Sequence, residues 1–426
     1  MKWWQRVRQL FAIQSPSLIV LGRTGSAFIA LATAPIVARA IGPAGRGETA
    51  AAIALYVIVP VLLAIGLPLE VRRQAATSDG HVALRTARRI VALTIIIAAP
   101  LAVGAAYTVF SGFEPEARVV AAAGIFLAPL SASWALDVGL LVAHRRYRAV
   151  FAMQVLQPLV YLVLVVIAWL FGAASVASVL AANVIGSLTT FVLGAALVRV
   201  PWRGTLAPIG ATLRAGFHYV GSAIAEAASN KLDQVIALPL LGAFQAGIYS
   251  VAATIASVPL AIGQALGASH FPTIAQADGD NRKGAQSEAA RAGIAAGILS
   301  YVPAVALSVV IIPFVFGPDF VSAVPVTVVS LVGSAAMIAG YVISMALAAD
   351  SKGIRMTIAQ VISLGVGIGG LIVLGPLLGA IGAALASTLS YLVLLTILMA
   401  ALKLPVGKLL PRGRDFVGVL RRLARD

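Results

Sequence analysis

The sequence has no cysteine. That excludes disulfides and thiolate-bound metals. Four histidines are scattered along the chain, so no histidine metal cluster is expected. Charge is scarce: 11% of the residues are Asp, Glu, Lys or Arg, where a soluble domain carries about 25%. Acids are the rarer sign, 15 against 31 bases. There is no Gly-rich phosphate loop followed by Lys and Ser or Thr, so no built-in ATPase is expected. No His–Glu or carboxylate cluster falls in a polar loop, so no catalytic constellation emerges. No cofactor or metal is expected. The start, MKWWQRVRQLFAI, is basic and aromatic, but its apolar run is too short and broken for a signal-peptide core.

What is present is apolar. Hydrophobic residues make up 60% of the 426, and mean hydropathy is +1.00. A run of about 20 apolar residues crosses a hydrocarbon core of about 30 Å. Twelve such runs can be read, at 17–40, 49–69, 89–110, 118–142, 149–171, 175–198, 215–240, 247–271, 292–316, 321–348, 356–375 and 379–402. The bases sort to one side of them. Of the 31, 26 lie at the termini or in the even-numbered connections. Arg72, Arg73, Arg85, Arg88 and Arg89 all fall in the second of these. By the positive-inside rule both termini are cytoplasmic, in an inner or plasma membrane. The net charge of +16 is then a topology signal, and nucleic acid is not an expected partner. The opposite connections at 171–175, 241–247 and 375–379 leave no room for an external domain. Residues 1–16 and 403–426 read as basic amphipathic segments lying on an anionic leaflet, with membrane lipids as partners.

The chain also repeats itself. Ile41–Gly47 (IGPAGRG) joins the first two helices, and Leu241–Gly247 (LGAFQAG) joins the seventh and eighth. The glycines coincide 200 residues apart. Gly172–Ser175 and Gly379–Gly382 echo each other after the fifth and eleventh helices. Each repeat holds six helices, an even number, so the repeats run parallel. The predicted fold is all-α integral membrane. About twelve transmembrane helices form two six-helix lobes, related by a pseudo-two-fold along the membrane normal. The lobes are 17–198 and 215–402, joined by a linker at 199–214.

The seventh helix breaks the apolar pattern. It carries Glu226, Asn230, Lys231, Asp233 and Gln234 within nine residues, and a charge at a helix centre costs about 2.5–3.5 kcal/mol on insertion scales. At about 100° per residue, Tyr219, Ser222, Glu226, Asn230 and Asp233 form one stripe. Lys231 falls about 140° from Glu226. The stripe either faces a wet cavity or glues helices together. Arg23, with Ser26 on its face in the first helix, either binds phosphate or snorkels to the surface. Asp137 in the fourth helix lies at similar depth and could pair with Arg23.

The segments 37–47 (VARAIGPAGRG), 231–252 (KLDQVIALPLLGAFQAGIYSVA) and 379–392 (GAIGAALASTLSYL) resemble polysaccharide biosynthesis flippases of the O-antigen type. These belong to the multidrug/oligosaccharidyl-lipid/polysaccharide exporter superfamily. The resemblance spans essentially the whole chain. It implies a transporter, not an enzyme, that moves an undecaprenyl-pyrophosphate-linked oligosaccharide from the cytoplasmic to the outer leaflet by alternating access. In such proteins a cationic central cavity receives the pyrophosphate. Here acids accompany the bases, a departure that suits coupling to H⁺ or Na⁺. The expected substrate-binding residues are Arg23, Ser26, Tyr219, Ser222, Asn230 and Lys231. The expected coupling acids are Glu226, Asp233 and Asp137. Glycan-assembly enzymes are candidate partners. A cation-coupled multidrug or small-molecule exporter is the alternative, and a membrane glycan polymerase or ligase a further one. Lipid II flippases of the superfamily have fourteen helices, two more than are read here.

Overall fold

A computed structural model describes residues 17–78, 80–350 and 353–423, without the side chains at 222, 226, 406 and 419–423. The segment expected to lie on the membrane at 1–16 falls outside the described residues. The described part is helical from end to end, with no strand. In an apolar solvent every backbone polar group must find an internal partner, and a helix provides that within one segment. Among the described residues nine helices are long and apolar enough to cross a membrane, and the bent pair Pro115–Phe126 and Ala128–Ala143, taken as one span, makes a tenth. Ser17–Ala64 contains two spans divided at Gly42. Ile209–Leu241 is the helix read from the sequence as the seventh of twelve spans, and its polar side chains keep it out of that group. The protein is a multi-pass membrane protein.

The turns differ on the two sides. Gly42, Gly172, Gly242, Gly317 and Gly379 all have positive φ and follow odd-numbered spans. Gly42 (φ 67°, ψ −178°) and Gly242 (φ 81°, ψ 163°) share one conformation. That region is essentially closed to residues with a Cβ. The sequence echo between 41–47 and 241–247 is therefore also an echo in backbone geometry. On the basic side residues other than glycine also take positive φ: beside Gly66, Gly80, Gly204 and Gly279 stand Ile65, after the second span, and the cations Arg145, Arg199 and Lys403, after the fourth, sixth and twelfth. A cation there complements the partial negative charge of a helix C-terminus.

By packing, the chain forms two compact units, Met1–Val235 and Ile236–Asp426. The division falls inside the seventh span, whereas the sequence places it in the 199–214 linker. Packing explains the difference. Ala227 and Val235 of the seventh span cluster with Ala54 and Ile58 of the second. Nearer the basic side, the backbone at Gly216 crosses that at Ile65 and Gly66, and a Cβ on Gly216 would lie 2.6 Å from the Ile65 carbonyl oxygen. Most of the seventh span thus belongs to the first unit. A core of that unit contains Leu67, Leu84, Leu136, Leu140 and Met153.

The second unit is built on the ninth and tenth spans, Gly279–Ile311 and Ala323–Ala349. Gly293 and Gly297 let the two backbones approach, and a Cβ on Gly293 would lie 3.2 Å from Ala339 Cα. Small residues allow such contact where lipid supplies no hydrophobic drive. The Ala380 amide donates to Gln245 Oε1 at 3.1 Å, tying two of the glycine turns together. The described part of the 403–426 tail folds onto the ninth span as Val406–Leu409 and Gly413–Leu423. Arg291 pairs with Asp415 at 3.1 Å, and Phe416 packs on the unit's core.

Candidate functional site

The seventh span presents two different faces. Measured from Glu226, Ala227 falls at about 100°, Lys231 at about 140° and Val235 at about 180°. Ala227 and Val235 are buried against the second span, so Lys231 sits on the packed face. This accounts for its displacement from the stripe. Lys231 is half-buried and lies within electrostatic reach of Asp233 and of Arg46. Arg46 stands in the first turn of the second span, just past the Gly42 break, and Tyr161 of the fifth span lies within its electrostatic reach. Arg46 Nε and Asp233 Oδ1 are both inaccessible to solvent. The four groups thus form a chain in the first unit, Asp233 to Lys231, Lys231 to Arg46 and Arg46 to Tyr161.

Arg46 and Tyr161 are additions to the sequence-derived set. The apolar run of the second helix starts at 49, which leaves Arg46 in the connection before it. The signal that could have placed it is Gly42 itself. A turn closed at Gly42 puts Arg46 inside the helix, facing other helices.

The other face of the seventh span carries the stripe. Asn230 is exposed, and Tyr219 and Asp233 are half-buried. The side chains of Ser222 and Glu226 lie outside the described residues. Tyr219 sits over the break that ends the second span, where a Cβ on Gly66 would lie 3.0 Å from Tyr219 Cβ. Beyond that break, in Leu67–Ala75, Glu70 is buried and accepts two hydrogen bonds from Arg73, at 2.7 and 2.8 Å, and one from Gln74 at 2.7 Å. The Arg73 hydrogen bonds hold the Glu70 carboxyl below the usual carboxylate range.

The remaining expected residues are placed elsewhere. Ser26 donates to the Gly22 and Gln154 carbonyls at 2.7 and 2.6 Å, which puts it in a seam between the first and fifth spans. Arg23 is exposed. Asp137 is fully buried, and its partner is Arg88: Nε and Nη2 of Arg88 donate to Asp137 Oδ1 at 3.1 and 2.7 Å. Arg88 counted in the sequence as a loop charge on the basic side. In the structure it is 2% exposed, in the helix His81–Leu93. Among the described residues no group of three or more His, Asp or Glu side chains could hold a metal.

The family model for polysaccharide biosynthesis proteins matches residues 13–278. The chain belongs to that family. No curated protein sequence matches it. Among solved structures, the family member resembles the lipid II flippase MurJ in an inward closed conformation, with TM-score 0.76 and 15% identity over 95% of this chain and 90% of that one. It resembles an inward-facing multidrug resistance MATE family transporter of the MOP superfamily, with TM-score 0.67 and 15% identity over 90% and 95% of the two chains. A Vibrio cholerae MATE transporter, VcmN, is similar with TM-score 0.59 and 15% identity over 93% and 96%. The fold of this family member is that of MOP-superfamily transporters.

Proposed function

We propose that the protein moves an undecaprenyl-pyrophosphate-linked oligosaccharide from the cytoplasmic to the outer leaflet of the cell membrane by alternating access. The observation that carries this reading is the polysaccharide biosynthesis family match over residues 13–278. The physical task is to carry a polar head through hydrocarbon, where unsatisfied polar groups cost several kcal/mol each, on the order of 2–7. Lys231 and Arg46 would attract the pyrophosphate, with Arg23 meeting it at the cytoplasmic rim. Tyr219, Ser222 and Asn230 would hydrogen-bond the sugars. Glu226 and Asp233 would bind the coupling H⁺ or Na⁺. Ser26 would act through the helix seam it closes, and Asp137 through Arg88. Both termini would lie in the cytoplasm, the side on which the sequence puts most of the bases. No enzymatic step is assigned.

The carboxylate of Asp233 beside Lys231 supports a second reading, a cation-coupled exporter of small amphipathic compounds. Deletion in the native host separates the two. The flippase reading expects lipid-linked glycan to accumulate on the cytoplasmic leaflet. A normal leaflet distribution, with new sensitivity to amphipathic cations, would favour the exporter.

A further inference from the structure

The connection between the sixth and seventh spans would be expected to be a free tether. From Val200 to Ala207 it is instead bonded to one helix of the first unit, His81–Leu93. Arg88 Nη1 donates to the Val200 carbonyl at 3.1 Å, and its guanidinium lies 5.2 Å from the centre of the Trp202 ring. Arg85 donates to the carbonyls of Pro201 and Thr205 at 3.0 and 2.7 Å. The Ala207 amide donates to the hydroxyl of buried Thr86 at 2.8 Å. From the start of the fifth span, Arg146 donates to the Leu197 carbonyl at 2.8 Å. The guanidiniums and the hydroxyl therefore take up backbone groups that a flexible loop would leave to water.

Asp137 holds the arrangement in place. It is wholly buried and fixes Arg88 through two of its N–H groups, which leaves Nη1 turned to Val200. A guanidinium is planar and always charged, so it can bind a carboxylate on one edge, a carbonyl on the other and an aromatic ring on its face. Lysine has no such geometry.

We propose that Arg88 and Asp137 are positioning residues that clamp residues 200–207 to the first unit. The entry of the seventh span is thereby held in register with the second, and Tyr219 is held over the Gly66 break. The clamp itself does not depend on the transport reading; its effect on transport does.

Limited trypsin digestion of the full-length protein in inside-out membrane vesicles tests this. Arg203 in the clamped segment reports on the clamp, and Lys283 in the second unit serves as the control site. In wild type, cleavage after Arg203 is expected to be slow. Asp137→Asn and Arg88→Lys should each speed it at least tenfold, with the rate after Lys283 unchanged. Asp137→Glu, which keeps the carboxylate, should restore protection in part. Transport measured on the same vesicles should fall with the loss of protection. Equal acceleration at both sites would mean general unfolding and would overturn the proposal, as would wild-type protection in Arg88→Lys and Asp137→Asn. Loss of protection with full transport would remove the positioning role. Loss of protection in vesicles that show no glycan flipping even in wild type would leave the clamp standing and count against the transport reading.

Discussion

Gly216→Ala should push the seventh span off the second and slow transport. Gly216 has ordinary helical geometry, so the change carries no backbone strain and the added methyl group acts alone. Its Cβ would lie 2.6 Å from the Ile65 carbonyl oxygen and 3.1 Å from Leu67 Cδ2. Ordinary contact begins near 3.4 Å, so the backbones must part by about 0.8 Å. The obstacle is main chain and cannot swing away. Overpacking of this kind costs about 1–3 kcal/mol. For a unit of this size, each kcal/mol lowers Tm by about 2–4 °C. A fall of roughly 2–12 °C is therefore expected on thermal unfolding in detergent. The displaced surface carries Tyr219, so transport should fall as well. Gly104→Ala is the control, because a Cβ there meets nothing within 4 Å. If the two variants match in Tm and transport, the crossing does not hold the stripe in place.

Gly42→Ala and Gly242→Ala should each cost about 1–3 kcal/mol through backbone strain alone, since neither Cβ meets an atom within 4 Å; unfolding midpoints equal to wild type would refute the paired turn geometry. Glu70 adds stability that is fully present above its unfolded pKa of about 4.3 and is lost as pH falls through its depressed folded value. Glu70→Gln should therefore flatten the loss of Tm on acidification below about pH 5, and an unchanged acid profile would count against the Arg73 pairing. Arg46→Ala and Lys231→Ala should each cut transport of a pyrophosphate lipid at least tenfold while protein remains in the membrane, read as initial rates in vesicles.

Much of this architecture could be read from residue patterns alone. Helix period, apolar run length and the placement of bases gave the spans. The glycines at 42 and 242 marked equivalent turns because no other residue tolerates that backbone. The stripe from Tyr219 to Asp233 is an expectation from 100° geometry, and of its five members Tyr219, Asn230 and Asp233 have described side chains. What the pattern could not carry was partnership across the fold. Arg88 looks like any basic loop residue until helix His81–Leu93 turns it inward onto Asp137, 49 positions away. Arg46 looks like a loop charge until Gly42 sets where the second span begins. The unit boundary fell in the seventh span because Gly216, Ala227 and Val235 make contacts with the second span that local sequence does not encode.

The proposed activity is the movement of a lipid-linked glycan head across the bilayer. Its most direct test uses purified protein in proteoliposomes loaded with a labelled polyprenyl-pyrophosphate oligosaccharide. An impermeant glycosidase outside reports the exposed fraction over time. Wild type should expose the inner pool within minutes under an inward or outward cation gradient. Protein-free liposomes and Lys231→Ala should leave about half of the label protected. If wild type leaves that half protected under every gradient, while the protein is folded and correctly inserted, the account is contradicted.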